Sequence, residues 1–353
     1  MKKKNVAKKI ISICIGAFVV IIVLALLQRL VMPKYMSDVL EGGMIAEYYD
    51  ERKDHDVVFI GDCEVYENFS PKVLWEKYGI NSYIRGSAEQ LVWQSYYLCE
   101  ETLKYEKPKA IVFNVLAMEF NEPQREEYNR MTLDNMKWSS SKINSIKASM
   151  TDKENFIEYV FPILRFHSRI TELEEADLFY FFDKPDVTHN GYYMRVDVKP
   201  AENIPEPRAL SDYQFGENAY HYLDMMRELC EKEGVELILI KAPSLYPYWY
   251  PEWNDQMKEY ADKYGLRYYN FLDVTDEIGL DFSVDTYDSG LHLNLTGAEK
   301  LSDYFGNILQ NECGIASRKD DSTLSAEWEK KIKAYDREIE LQYERMRKGE
   351  DVK

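Results

Sequence analysis

The run from Ile10 to Leu27 contains no charged side chain and follows five lysines, Lys2, Lys3, Lys4, Lys8 and Lys9; it constrains this chain more than any other stretch. A segment of that length and polarity fits a helix that crosses the hydrocarbon core of a bilayer better than a buried helix of a water-soluble domain. A cleaved secretory leader also begins basic and then apolar, but Leu26-Leu27-Gln28-Arg29-Leu30-Val31-Met32-Pro33 holds no small-x-small cleavage signal. The expectation is a retained anchor over 10–32 behind a basic cytoplasmic tail over 1–9. The lysine cluster places everything after the anchor outside the cell, and Arg29 and Lys34 oppose that bias without reversing it.

The remaining chain must fold in water. With 353 residues and 45% hydrophobic composition it has material for a sizeable core, read as one main domain carrying an insertion. A formal net charge of -18 argues against nucleic acid as a partner, because phosphate recognition needs a basic surface. It equally argues against passive adhesion to an anionic polymer. The five cysteines have no metal-ligand spacing and are too sparse for a disulfide scaffold. Cys99, spaced with Val92, Tyr96 and Leu103, and Cys230, beside Tyr222, Met226 and Leu229, read as core residues.

Periodicity alternates between short apolar runs and helical spacing. A short helix at Met44–Asp50 precedes a strand at Val57–Ile60; Ser70-Pro71 opens a helix through Tyr78; Asn81–Arg85 is a strand; Gln90–Tyr105 a helix; Ala110–Val115 a strand. This β-α-β-α-β order predicts a parallel α/β sheet with crossover helices. The alternation stops over 119–207, an aromatic-rich stretch read as a mainly helical insertion shaping a substrate entrance. Within it His189-Asn190-Gly191-Tyr192-Tyr193 is a turn leading to a strand, with His189 as loop material. The pattern resumes with a helix at Glu217–Lys232, a strand at Val235–Lys241, a helix at Pro251–Tyr264, a strand at Arg267–Leu272, and a helix at Thr296–Gln310 capped by Thr296. The main domain thus comprises 44–118 and 208–315. A tail helix over 324–348 carries Trp328, Ile332, Tyr335, Ile339, Tyr343 and Met346 on one face, either docked on the domain or used for association.

The chemistry centres on Cys63. Val57-Val58-Phe59-Ile60-Gly61 runs into Asp62-Cys63 and then a helix, the strand-turn-helix setting that exposes a nucleophile at the carboxyl edge of a sheet. A thiol attacks an acyl carbonyl only with a base or a positive neighbour. Among five histidines, His292 is the best placed, in Tyr287-Asp288-Ser289-Gly290-Leu291-His292-Leu293-Asn294-Leu295-Thr296-Gly297, a glycine-containing loop before a helix. Asp288 is the carboxylate expected to orient it, with Asp285 in reserve.

Gly61-Asp62-Cys63 and the Asp288–His292 loop followed by Asn294-Leu295-Thr296-Gly297 resemble the first and last blocks of the SGNH/GDSL hydrolase and acyltransferase superfamily, with cysteine in the serine position. The likeness is to its membrane-anchored Gram-positive members, distant relatives of the D-alanyl-lipoteichoic acid transfer protein, and covers Val57 to Gln310. It implies a flavodoxin-like SGNH sheet and an oxyanion hole formed by the backbone N–H groups of Cys63 and Gly86 and the side chain of Asn114. It also implies action on ester or acyl groups of a cell-envelope glycan or acylated polymer, beside a membrane-bound O-acyltransferase. No metal or organic cofactor is required by that chemistry. Two departures stand out: the family's aspartate lies three residues before its histidine, where this chain has Ser289, and Asn114 lacks the family's flanking glycine and aspartate. A cysteine nucleophile suits acyl transfer through a thioester, and equally a weakened hydrolase or a silent homologue.

Overall fold

The computed structural model describes residues 2–34, 43–182 and 186–352. The chain divides into two compact units, one comprising 1–40 with 152–185 and the other 41–151 with 186–353.

The first unit is built on a single helix, Lys2–Val31. Its stretch Lys8–Val31 is long and apolar enough to cross a membrane, and none of its most apolar window is buried against protein. Short helical turns at Phe156–Val160, Ile163–Phe166, His167–Thr171 and Glu175–Phe179 complete this unit. The helices Glu126–Leu133 and Ser140–Ser149 belong instead to the second unit, so the stretch 119–207 is divided between the two.

The second unit is an α/β layer structure around five parallel strands: β1 Val57–Gly61, β2 Ser82–Gly86, β3 Ala110–Asn114, β4 Glu236–Lys241 and β5 Arg267–Asn270. Their spatial order is β2-β1-β3-β4-β5, one of the two common doubly wound orders, in which the direction of winding reverses between β1 and β3. Residues on β1 and β3 are buried throughout, and continuous Val, Ile and Phe runs rather than alternation are what a sheet covered on both faces requires. The register sets Gly61 beside Gly86, and Asn114 beside Ile240. Asn114 and Lys241 are therefore the last residues of their strands, at the same edge as the turn that follows β1.

The helices Val92–Tyr105, Glu217–Glu233 and Pro251–Tyr264 pack side by side. Cys99 meets Cys230 between the first two, with 3.8 Å between the sulfurs, and Tyr260 donates to Asp224 at 2.8 Å between the last two. A second group pairs the segment after Ser70 with the helix Leu295–Asn311: Ser70 N–H donates to Ser302 Oγ at 2.6 Å and Tyr78 Oη to the Asp303 carbonyl at 2.8 Å. The cap of Leu295–Asn311 is Asn294, whose side chain accepts from Gly297 N–H. Thr296, the cap expected from sequence, turns its hydroxyl to Asp285 and Asn294 instead.

The C-terminal helix Ser322–Lys348 is docked. Trp328 stacks on Trp75 with centroids 5.5 Å apart and planes 7° from parallel, and the Tyr335 and Ser70 hydroxyls are 3.0 Å apart. Its buried positions are Leu324, Trp328, Tyr335 and Gln342. Tyr343 and Met346, expected on the same face, are exposed, because the neighbour met at that level is the backbone at Met194 and Val196, which Gln342 satisfies. The turn at His189 forms a bridge with Tyr192 but no strand follows; Asn190 bonds the edge of β2 through its carbonyl to Ile84 N–H and its side chain to the Ser82 carbonyl.

Candidate active site

Cys63 opens a one-turn helix, Cys63–Tyr66, directly beyond β1. Asp62 caps it, accepting from Glu64 N–H at 3.1 Å, which leaves the Cys63 N–H at the open amino end of the turn. Gly61 is required by close approach. A Cβ there would lie 2.5 Å from Val65 and 3.0 Å from the Asn114 side chain. Gly86 is held by the same crowding, since a Cβ would lie 3.0 Å from the Tyr66 ring. Cys63 itself is a free cysteine, partly exposed as a residue.

The second half of the site comes from the loop before Leu295–Asn311. His292 Nδ1 bonds Asp288 Oδ2 at 2.6 Å, and the His292 N–H donates to the other carboxylate oxygen at 2.8 Å. Between Asp288 and His292 the loop turns through two consecutive left-handed residues, Ser289 at φ 70° and Gly290 at φ 97°. Gly290 N–H is secured by Thr286 Oγ1 at 2.8 Å. Leu293 N–H donates to Asn68 Oδ1 at 2.8 Å, tying this loop to the segment that follows Cys63. Asp285 lies elsewhere: its buried carboxylate takes Lys300 Nζ at 2.6 Å and the Thr296 hydroxyl at 2.9 Å. Asp288 is the partner of His292.

With Nδ1 engaged, the buried Nε2 has no hydrogen-bond partner, and the imidazole acts on the Cys63 thiol. Burial pushes that thiol up to about 11, while the charge of the neighbouring His292 pulls it down. Burial alone would lower the affinity of His292 for its proton, but Glu67, the thiol and Asp288 together outweigh it and raise the imidazole well above its ordinary value.

Glu67 was not anticipated from the sequence. Its carboxylate lies 3.6 Å from His292 Nδ1, and it accepts from the Tyr287 hydroxyl. The Tyr287 ring stacks on His292 at 6.1 Å, and the Arg195 guanidinium lies over the Tyr287 ring at 4.6 Å from its centroid. The available sequence signal was position alone: Glu67 stands four residues after Cys63, one helical turn away.

Asn114 departs from the expected oxyanion role. Its Oδ1 accepts from Ala242 N–H at 3.1 Å, which fixes the amide orientation, and both Nδ2 hydrogens go to carboxylates, Asp62 Oδ1 and Glu64 Oε2, each at 3.0 Å. No donor of that amide is left for an oxyanion. Asn114 is instead a strut in a buried polar network beneath the Cys63 turn. Lys241 pairs with Glu64 at 2.9 Å and donates to the Ala242 carbonyl at 2.6 Å and Ser244 Oγ at 3.0 Å, and the Ser244 hydroxyl also bonds Glu64. Burial first, then the neighbouring Glu64, raises Asp62 to about 7. Burial with Asp62 and Glu64 raises Glu119 to about 8.

Among the described residues no group of three or more His, Cys, Asp or Glu side chains is arranged to hold a metal ion. What the arrangement offers is a thiol, an imidazole with one nitrogen anchored and one open, and two carboxylates on the anchored side. No protein-family model matches the chain, and neither does any curated protein.

Proposed function

We propose that this chain is a membrane-anchored, extracytoplasmic acyl esterase or O-acyltransferase of SGNH type, acting on an ester or acyl group of a cell-envelope glycan or acylated polymer. The reading is carried by one observation, His292 bound through Nδ1 to Asp288 while Nε2 is left open to Cys63. In the proposed step His292 Nε2 takes the thiol proton as Cys63 Sγ attacks the acyl carbonyl. The ester C–O bond then breaks, the leaving alkoxide receives that proton, and a thioester remains on Cys63. A hydroxyl of an acceptor polymer, or water, attacks the thioester in turn and restores the thiol. The Cys63 N–H at the head of its turn and the backbone of Gly86 are the proposed oxyanion donors. The N-terminal lysines place the tail inside and the catalytic unit outside, where a membrane-bound O-acyltransferase would supply acyl groups.

A fold-retaining scaffold without turnover is the second reading. It draws on the commitment of Asn114 to Asp62 and Glu64 and on the burial that raises the Cys63 thiol. Incubating the full chain with p-nitrophenyl acetate and mapping peptide masses separates the two. The enzyme reading expects an acetyl group on Cys63 that is absent in His292→Ala. A parent chain left unmodified at Cys63 favours the scaffold.

A further inference from the structure

The helix Lys2–Val31 ends against the short turns of its own unit. Arg169 Nη1 donates to the Val31 carbonyl at 2.9 Å, satisfying one of the acceptors a helix leaves open at its carboxyl end. Lys34 donates to the Arg29 and Leu30 carbonyls at 2.8 and 2.7 Å and pairs with a buried Asp177 at 3.1 Å. The Arg29 guanidinium lies over the Phe181 ring at 5.1 Å, and Lys34 over Tyr180 at 5.8 Å. The segments 156–171 and 175–182 are therefore fastened to the last turns of the apolar helix, at the level where a spanning segment leaves the hydrocarbon.

Those same segments leave large apolar side chains uncovered. Ile157, Phe161 and Leu164, spaced four and three apart, are each about half exposed, and so is Ile170; Phe179 is 61% and Phe182 89% exposed. Between Leu164 and Phe179 Ile170 is flanked by exposed polar residues, among them His167, Ser168, Thr171, Glu172, Glu174 and Glu175. Apolar surface of this extent facing water is unfavourable and marks a site of association. Its continuity with the apolar helix says with what. Basic groups beside aromatic rings at the helix end are also what a membrane boundary favours.

We infer that 156–182 is a collar that lies in the boundary between headgroups and acyl chains, with Ile157, Phe161, Leu164, Phe179 and Phe182 entering the lipid. The collar rests on the membrane-anchor reading of Lys8–Val31. It fixes the depth of the anchor's outer end, so lipid, not a partner protein, covers this face. An amphipathic segment of this kind sinks its apolar side roughly 5–10 Å into the boundary.

The test is the full-length chain in phosphatidylcholine–phosphatidylglycerol vesicles carrying a lipid with a diazirine near the acyl carbonyl, irradiated and mapped by peptide mass. The expected result is lipid adducts on the anchor and on peptides containing 157–164 and 178–182, with none on Pro251–Tyr264. The parent map decides the question without any variant. In Phe161→Glu/Leu164→Glu/Phe179→Glu the collar adducts are expected to be lost while the anchor adducts stay. Adducts confined to the anchor overturn the collar and leave the anchor standing, and loss of adducts from the anchor too overturns both. Collar adducts unchanged in the triple variant, or copy-to-copy cross-links through the collar in place of lipid adducts, also overturn it.

Discussion

Glu67 gives His292 a second carboxylate on the nitrogen that Asp288 already holds, and this sets the pH at which the pair can work. Both carboxylates favour the protonated ring, and burial together with the nearby acidic groups favours the protonated thiol. The base form of His292 is therefore gained as pH rises, and the reactivity of Cys63 is expected to follow an alkaline profile. Glu67→Gln removes a charge that raises both groups, so the profile should move toward lower pH while the Asp288 bond keeps the ring in place. A pH series of acetyl transfer from p-nitrophenyl acetate to Cys63 checks this; an unmoved or alkaline-shifted curve would count against it. Cys63, His292 and Asp288 were legible because each sits in a local pattern, a strand-turn-helix or a loop before a capped helix. Glu67 and Arg195 were not, since the segments that carry them meet the loop of Tyr287 and His292 only in the fold.

The one-turn helix after β1 stands on an unusual floor. Asp62, Glu64, Asn114 and Lys241 are all buried, and their polar atoms are joined by hydrogen bonds rather than by water-facing surface. A carboxyl whose folded value is raised contributes stability that is fully present below its ordinary range and is lost as pH rises through the raised value. For Asp62 that window runs from about 4 to about 7. Unfolding free energy of the second unit should therefore fall across it. Asp62→Asn keeps a capping oxygen for Glu64 N–H and is expected to flatten the slope, read by denaturant titration at steps across the window; a slope unchanged in the variant would contradict the assignment. The strands themselves were legible as apolar runs, and Lys241 was read as the mere end of one. A buried lysine at a strand terminus becomes visible only with Glu64 opposite it, and the neighbouring Asn114 took a different role for the same reason.

At the scale of the whole molecule, the parallel sheet and its crossover helices follow from the alternation of periodicities, and the tail helix shows how far such patterns reach. Its stripe of apolar residues marked docking or association; it is docked, and only the half that meets Trp75 and Ser70 is buried. Trp328→Ala should cost about 3–5 kcal/mol in the stability of the second unit and expose 322–348 to proteolysis; a tail still protected in that variant would remove Trp328 from its docking. The most direct test of the account is alkylation of Cys63 in the full-length chain, followed by peptide mass across pH in the parent and in His292→Ala. Cys63 is expected to react in the native state along an alkaline-shifted curve, and more slowly below its midpoint in His292→Ala, because the charge of His292 lowers the thiol. A Cys63 that stays unlabelled until the chain is denatured, or the same curve with and without His292, would contradict it.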